Sequence, residues 1–155
     1  MQDKKRKEIV AELQKSYGME LETVINYRAN SVHLDGIRAK HIKDNLLAEV
    51  ADESTHATIV ANRIKVLEGR IPGSLELNFC QKSLQPPADN LDVKAVILGV
   101  LEAEKGAIDQ YQKIIELCEG VDPVTQDIVT GLKGDEEEHY RLFKGFLAEA
   151  ESMKL

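Results

Sequence analysis

The sequence lacks several features that mark common protein classes. Its 155 residues include no tryptophan and only two cysteines, Cys80 and Cys118, which are too few for a disulfide framework. No apolar run approaches the roughly 18 residues of a membrane-spanning helix, and no apolar segment follows the basic start of the chain. We therefore expect a cytoplasmic protein without a membrane partner. We interpret the two cysteines as reduced thiols, with a redox pair, or cysteines near a site, as the alternatives.

Basic residues and helix breakers are also scarce. Acidic residues outnumber basic ones 27 to 20, and the net charge of −7 opposes nucleic-acid binding, which normally uses a basic surface. DNA is therefore not an expected partner. Only four prolines and ten glycines interrupt stretches rich in Ala, Glu, Lys and Leu, and these favour an all-helical chain. The length fits a single domain over residues 1–155.

Apolar residues at helical spacing predict four long helices, at approximately residues 3–34, 37–68, 91–119 and 123–150. We expect Asp3 to cap the first helix and Asp122 to cap the fourth. The first and last connections are short, so each joins an antiparallel hairpin. The connection at 70–91 is long enough to cross the whole bundle, and a short helix is expected within it at Leu75 to Leu84. The prediction is an all-α antiparallel four-helix bundle with a long crossover between helices 2 and 3.

Polar side chains interrupt the apolar face of every helix. Helices 1 and 3 each contribute one glutamate, and helices 2 and 4 each contribute a Glu-x-x-His pair; the residues are Glu20, Glu104, Glu53 with His56, and Glu136 with His139. Carboxylates rarely occur in a core unless they are paired or bind a metal, and residues i and i+3 project from one side of a helix. The set matches the ligand pattern of di-iron carboxylate bundles.

The two halves of the chain repeat this pattern. Tyr27 and Tyr111 each follow their helix's glutamate by seven residues, and Asp52 and Asp135 each precede a Glu-x-x-His pair. The halves superpose at an offset of 83–84 residues, as expected of two related hairpins about a pseudo-twofold axis.

The types of ligand side chain indicate which metal ions the site would bind. Four carboxylates offset most of the charge of two divalent ions, and oxygen-rich sites with one imidazole per metal suit iron or manganese better than zinc. We expect Asp52 and Asp135 to accept the free ring N–H of the histidine on the opposite helix. Tyr27 is the candidate catalytic residue, by hydrogen bonding a carboxylate or by one-electron transfer. Tyr111 is a candidate supporting residue, and an ordinary core tyrosine is an equal alternative.

Glu49 lies one helical turn before Glu53. We interpret it as an exposed or ion-paired glutamate, with an accessory iron site as the alternative.

With these motifs the sequence resembles the ferritin-like superfamily over nearly its whole length. Residues 20–27 look like the first-helix motif of bacterioferritins, and the two Asp-Glu-x-x-His motifs with Glu104 complete their di-iron centre. Leu101-Glu-Ala-Glu104 also resembles the bacterioferritin-like subgroup of Dps-like mini-ferritins. The resemblance implies oxidation of Fe(II) by O2 or H2O2, with ferric mineral stored inside a homo-oligomeric shell.

Three departures limit what the resemblance implies. Ser54 stands where bacterioferritins carry their haem-binding methionine, so no haem is expected. Ala107 stands where rubrerythrins carry a further glutamate, and no Cys-x-x-Cys motif is present, which disfavours a peroxidase of that type. Only 16 residues follow His139, so a fifth helix is not expected and a 12-mer is favoured over a 24-mer.

The preferred function is therefore a ferroxidase for iron storage or detoxification. The first alternative is a di-iron or di-manganese peroxidase or oxidase of oxidative-stress defence without storage. An alternative from another class is a structural metal-binding bundle.

Overall fold

The computed structural model describes residues 1–154 and contains four long helices. They are α1 (Asp3–His33), α2 (Lys40–Val66), α3 (Val93–Cys118) and α4 (Pro123–Ser152). There is no β-strand in this described part of the chain, and no helix in it is long and apolar enough to cross a membrane. The all-α four-helix prediction is confirmed, and the helix ends agree within a few residues.

The helices form two hairpins joined by a long crossover. α1 packs along α2, and α3 packs along α4. Tyr27 contacts Glu104 and Tyr111 contacts Glu20, so α1 and α3 run antiparallel. Since α1 and α2 are antiparallel as well, α2 and α3 run in the same direction. The connection between them therefore returns along the length of the bundle, as the sequence predicts.

One of the two predicted helix caps is present. The Asp122 side chain accepts a hydrogen bond from the backbone N–H of Thr125 at the start of α4. Asp3 does not cap α1, because the residue preceding the helix is Gln2. The Asp3 carboxylate lies inside the first turn and forms an ion pair with Arg6 at 2.5 Å. That prediction was wrong because nearby basic residues compete for the carboxylate.

The expected short helix at Leu75 to Leu84 is absent. Only a single 3-10 turn forms there, at Ser74–Glu76. The buried carboxylate of Glu22 on α1 instead accepts the backbone N–H groups of Cys80 and Gln81, at 3.2 and 2.8 Å. Side chains on α1 thus satisfy backbone groups that a helix would have satisfied internally. The crossover is extended and fastened to α1.

Two apolar clusters fill the bundle on either side of a layer of buried polar side chains. This central polar layer contains Glu20, Glu53, His56, Glu104, Glu136 and His139. One includes Leu34, Leu46 and Phe143, and the other includes Ile9, Ile64 and Val129. Burial of such side chains contributes roughly 25 cal/mol per Å² of apolar surface. This packing fixes the four helices relative to one another, and it holds the polar residues between the clusters away from water.

Candidate metal centre

The central polar layer contains all six predicted ligand residues, arranged as two overlapping groups of four. Within each group, one potential ligand atom of every residue lies within 4.8 Å of the others. The groups are Glu20, Glu53, His56 and Glu136, and Glu53, Glu104, Glu136 and His139. Glu53 and Glu136 belong to both groups, and each has two oxygens. Each of these two residues therefore offers an oxygen atom to both groups.

His56 projects from α2 into the first group and contacts α4. Its Nδ1 lies 2.8 Å from Oε1 of Glu136 and 3.5 Å from Oε2 of Glu53. Its Nε2 lies 3.1 Å from Oδ2 of Asp135. One ring nitrogen thus faces the carboxylates, and the other faces an aspartate on the opposite helix.

His139 projects from α4 in the same manner. Its Nδ1 lies 3.3 Å from Oε1 of Glu53, and its Nε2 lies 3.7 Å from Oδ2 of Asp52 on α2. The rings of His56 and His139 stack with their centroids 6.5 Å apart and an interplanar angle of 17°. The structure thus places each aspartate beside the histidine of the opposite helix, although the Asp52 contact is longer than a hydrogen bond.

The two tyrosines connect α1 and α3 through the carboxylates. The Tyr27 hydroxyl donates to Glu104 and the Tyr111 hydroxyl donates to Glu20, so each tyrosine binds the glutamate of the other half. Burial raises the pKa of Tyr27 well above its usual value, and the negative charge of Glu104 adds to this. Burial and the charge of Glu20 raise the pKa of Tyr111 in the same way. Both hydroxyls therefore remain protonated donors that fix one oxygen of each glutamate.

The carboxylates perturb one another's protonation because they are packed together in a buried layer. Burial raises the pKa of Glu53 and of Glu104 well above the usual value, and burial raises that of Glu136 to about 8. Burial opposes ionisation of Glu20, but hydrogen bonds from neighbouring groups outweigh it and lower the pKa. Burial likewise opposes protonation of His56, yet its carboxylate partners raise the pKa. Protons held on these carboxyl groups and on His56 therefore reduce the negative charge of the layer.

The chemistry of this layer fits divalent metal ions. Within the described residues, several buried ligand atoms have no hydrogen-bond partner: Oε1 of Glu53, Oε2 of Glu104 and Nδ1 of His139. Buried polar atoms are normally paired, and these atoms belong to the two groups described above. A cation is the partner that satisfies carboxylate oxygens and a neutral imidazole nitrogen together.

Two cavities reach the polar layer from opposite sides. A cavity of about 320 Å³ lies between α2 and α4, and its lining includes Asp52, Asp135 and both histidines of the layer. A second space, of about 10 Å³, lies on the α1–α3 side against the four glutamates, and Gln81 of the crossover forms part of its wall. The second space is close to the minimum needed by one water molecule.

Sequence reasoning misjudged Glu49. It is neither exposed nor ion-paired: it is 4% exposed, and both of its carboxylate oxygens are buried without a hydrogen-bond partner. Its burial could have been predicted from the sequence, because it lies one helical turn before Glu53 and therefore on the same inner face of α2. Sequence reasoning also missed Gln81, because nothing in a loop sequence shows that the loop will lie over the layer.

The two cysteines do not form a disulfide. Cys80 is exposed in the crossover, and Cys118 is buried at the end of α3. Burial raises the pKa of the Cys118 thiol to about 11, so this cysteine is an unreactive core residue.

The family model for the ferritin-like domain matches residues 10–153, which is nearly the entire chain. The chain belongs to the ferritin family. This ferritin-like chain is 25% identical to the "DNA protection during starvation protein" of Pyrococcus furiosus, over 86% of its own length and 73% of that protein's length. Its fold is similar to that of a ferritin-like, diiron-carboxylate protein from Bacillus anthracis, with a TM-score of 0.78 and 21% identity. The match covers 95% of this chain and 99% of the other. The family and fold expected from the sequence motifs are confirmed.

Proposed function

We propose that this ferritin-like protein is a ferroxidase that binds two Fe(II) ions per chain as substrate and oxidises them with O2 or H2O2. The observation that carries this proposal is the central layer of four buried glutamates and two histidines. No lysine or arginine of residues 1–154 forms an ion pair with those glutamates. A bundle that needed these glutamates only for stability would pair them with the permanently charged side chains of lysine or arginine, because buried charge that is not fully compensated is strongly unfavourable.

The proposed ligands divide between two positions. Glu20 and His56 serve one ion, Glu104 and His139 serve the other, and Glu53 and Glu136 are shared by both. Asp135 and Asp52 orient the two imidazoles by facing the ring nitrogen that points away from the metal. Tyr111 and Tyr27 hold Glu20 and Glu104 in place through their hydroxyl groups.

The redox step balances without any further cofactor. Two Fe(II) ions lose one electron each, and one H2O2 molecule takes up both electrons together with two protons to give two water molecules. With O2 as oxidant, the same two electrons and two protons give H2O2. Because both ions bind side by side, the electrons leave as a pair, and no one-electron oxygen radical needs to be released.

The carboxyl groups of the layer take part in the proton balance. Burial keeps Glu53, Glu104 and Glu136 partly protonated in the absence of metal. Binding of Fe(II) displaces these protons, because a metal ligand must be deprotonated. The oxidation step can then draw protons back through the His56 and His139 side of the layer, where the cavity of about 320 Å³ opens.

Several further expectations belong to the same proposal. We infer a single ferritin-like domain over residues 1–155, a cytoplasmic homo-oligomer of 12 rather than 24 subunits, and no bound haem. Manganese or zinc can replace iron at a carboxylate and imidazole site. The Pyrococcus furiosus relative is named for DNA protection, but the net charge of −7 leads us to expect no DNA binding by this chain.

Aerobic Fe(II) turnover combined with native mass spectrometry tests the proposal. The metal-free protein receives increasing Fe(II), and the ferric absorbance and the mass of the intact assembly are followed together. Ferroxidase activity predicts oxidation faster than the protein-free rate, and storage predicts many more than two irons retained per chain.

The other outcomes distinguish the alternative functions. Rapid oxidation that consumes H2O2 without retained iron would indicate a peroxidase. Oxidation at the background rate, with Zn(II) held permanently, would indicate a structural metal site and overturn the proposal.

A further inference from the structure

Glu49 is a buried carboxylate for which the proposed ferroxidase mechanism has no role. Its side chain is 4% exposed, and neither oxygen has a hydrogen-bond partner among the described residues. Burying a carboxylate without any donor is unfavourable. Such a group either stays protonated or has a cationic partner that enters later.

The pseudo-twofold repeat shows that Glu49 breaks the symmetry of the layer. The offset of 83 residues that relates Glu53 to Glu136 relates Glu49 to Leu132. Leu132 is 4% exposed and packs in the apolar cluster with Val129. One half of the bundle thus carries an apolar side chain where the other half carries a carboxylate, so the bundle does not require a carboxylate there.

The register of α2 against α4 places Glu49 on the His139 side of the layer. His139 contacts Asp52 and Glu53, whereas His56, further along α2, contacts Asp135 and Glu136. Glu49 precedes Glu53 by one turn, so it lies at the end of the layer that His139 occupies.

The titratable groups that influence the charge of Glu49 are His139 on α4, Glu104 on α3 and Asp52 on its own helix. Tyr27 on α1 is in turn influenced by the charge of Glu49. Burial raises the pKa of Glu49, the charge of His139 opposes this, and the charges of Glu104 and Asp52 add to it, so that the net pKa is about 8.

We propose that Glu49 is a seventh protein ligand, which binds the metal ion on the His139 side and makes the two metal positions unequal. This inference rests on the proposed two-metal site. Glu49 is not a member of either group of ligand atoms within 4.8 Å of one another in the described chain. Its Cα lies about 6 Å along the helix axis from that of Glu53, so rotation about the side-chain torsions brings its carboxylate toward the ion.

The two positions then differ in charge as well as in ligand number. The His139-side ion gains a carboxylate, while the His56-side ion faces the apolar half of the repeat. The His139-side position therefore binds a divalent ion more tightly and fills first. The His56-side position is the one that fills last and exchanges more readily.

Calorimetric titration of the metal-free protein with Co(II) tests this inference without relying on enzymatic activity. The wild-type protein should bind two ions with separate affinities. Glu49→Gln should weaken one binding step by about 10–100-fold and leave the other within about twofold. Glu102→Gln is the matched control, because it replaces a carboxyl group with an amide in the same way at an exposed position on α3, and it should alter neither step.

Variants of the two histidines show which of the two metal positions loses affinity when Glu49 is replaced. With His56→Ala, which weakens the other position, Glu49→Gln should still reduce the remaining strong binding step. With His139→Ala, Glu49→Gln should have no further effect, since the ion that it serves is already lost. Equal weakening of both steps, or no weakening, would overturn the role of Glu49. Failure of the wild-type protein to bind two ions would instead refute the proposed function.

Glu49→Leu, which copies the equivalent position of the other half, provides a second readout. The metal-free variant should unfold at a higher urea concentration than wild type, because an unpartnered carboxylate is removed from the core. Its affinity for the first Co(II) ion should fall as in Glu49→Gln. A purely structural role for Glu49 predicts a loss of stability in the metal-free variant, which is the opposite result.

Discussion

The Tyr27 hydroxyl donates a hydrogen bond to Glu104, and this contact joins α1 to α3 at the centre of the bundle. Tyr111 makes the same contact with Glu20 in the opposite sense. The two halves of the repeat therefore depend on each other, because the tyrosine of each half donates the hydrogen bond that orients the glutamate of the other half. Replacing either tyrosine consequently affects a residue 77 or 91 positions away in sequence.

Tyr27→Phe should lower the free energy of unfolding by about 1–2 kcal/mol, because Glu104 loses a buried donor. It should also slow Fe(II) oxidation by about tenfold, as expected when a partner of a metal ligand is removed. Urea unfolding and stopped-flow absorbance measure these two effects. Tyr111→Phe is the matched variant: a similar loss of stability with a smaller loss of rate would assign the one-electron role to Tyr27. Equal rates in both variants would contradict a catalytic role specific to Tyr27.

Glu53→Ala should abolish Fe(II) oxidation while the helical circular-dichroism spectrum is retained. Glu53 belongs to both ligand groups, so its removal takes a ligand from each metal position at once. Alanine is the best helix former, and the two apolar clusters are untouched. Glu102→Ala, at an exposed site on α3, is the control and should oxidise iron at the wild-type rate. Activity that survives in Glu53→Ala would refute the proposed site.

The stability of the metal-free protein should fall between about pH 5.5 and pH 7.5. Burial raises the folded-state pKa of Glu49 and of Glu136 from 4.5 to about 8. Each group therefore holds a proton in the folded protein that the unfolded chain has already lost. The resulting stability is complete below pH 4.5 and is lost as the pH rises through 8, by up to about 1.4 kcal/mol per pH unit for each group.

Urea unfolding in the presence of a chelator measures this slope, and Glu49→Gln should reduce it. Bound metal should reverse its sign, because the ion replaces the protons and binds more tightly as the pH rises. A stability of the metal-free protein that stays constant or increases over this range would show that these carboxyl groups are already ionised at pH 5.5.

Gly99→Ala should destabilise the protein by about 1–3 kcal/mol through overpacking. A Cβ atom at Gly99 would lie 2.2 Å from the backbone oxygen of Ser83, so the crossover would have to move away from α3. Gly106→Ala on the same helix is the control, because its Cβ would meet nothing within 4 Å. That variant should gain roughly 0.5–1 kcal/mol from the helix preference of alanine. Urea unfolding measures both variants, and equal effects would contradict the close approach of the crossover.

The spacing of Glu53, His56, Glu136 and His139 was readable from the sequence because i and i+3 side chains share a helix face in every α-helix. The fold followed for a similar reason: apolar residues at helical spacing must be buried, and two short connections force two antiparallel hairpins. The proximity of the six residues was thus predictable, although their role as metal ligands stays a prediction. The Asp122 cap was also correct, since a cap acts within one turn of its own helix.

Contacts between segments that are distant in sequence were decided only by the tertiary structure. Nothing in the sequence from Leu75 to Leu84 indicates that this segment will contact Glu22 on α1. The Glu22 carboxylate nevertheless accepts hydrogen bonds from the backbone N–H groups of Cys80 and Gln81, which would be bonded within the helix if one formed there. Glu49 resembled a surface glutamate because its solvent exposure depends on three other helices. The sequence alone determined the helices, their pairing and the faces on which carboxylates and histidines lie, since these follow from local periodicity. Only packing decided which carboxylates lack partners, because burial and hydrogen bonding depend on the whole bundle.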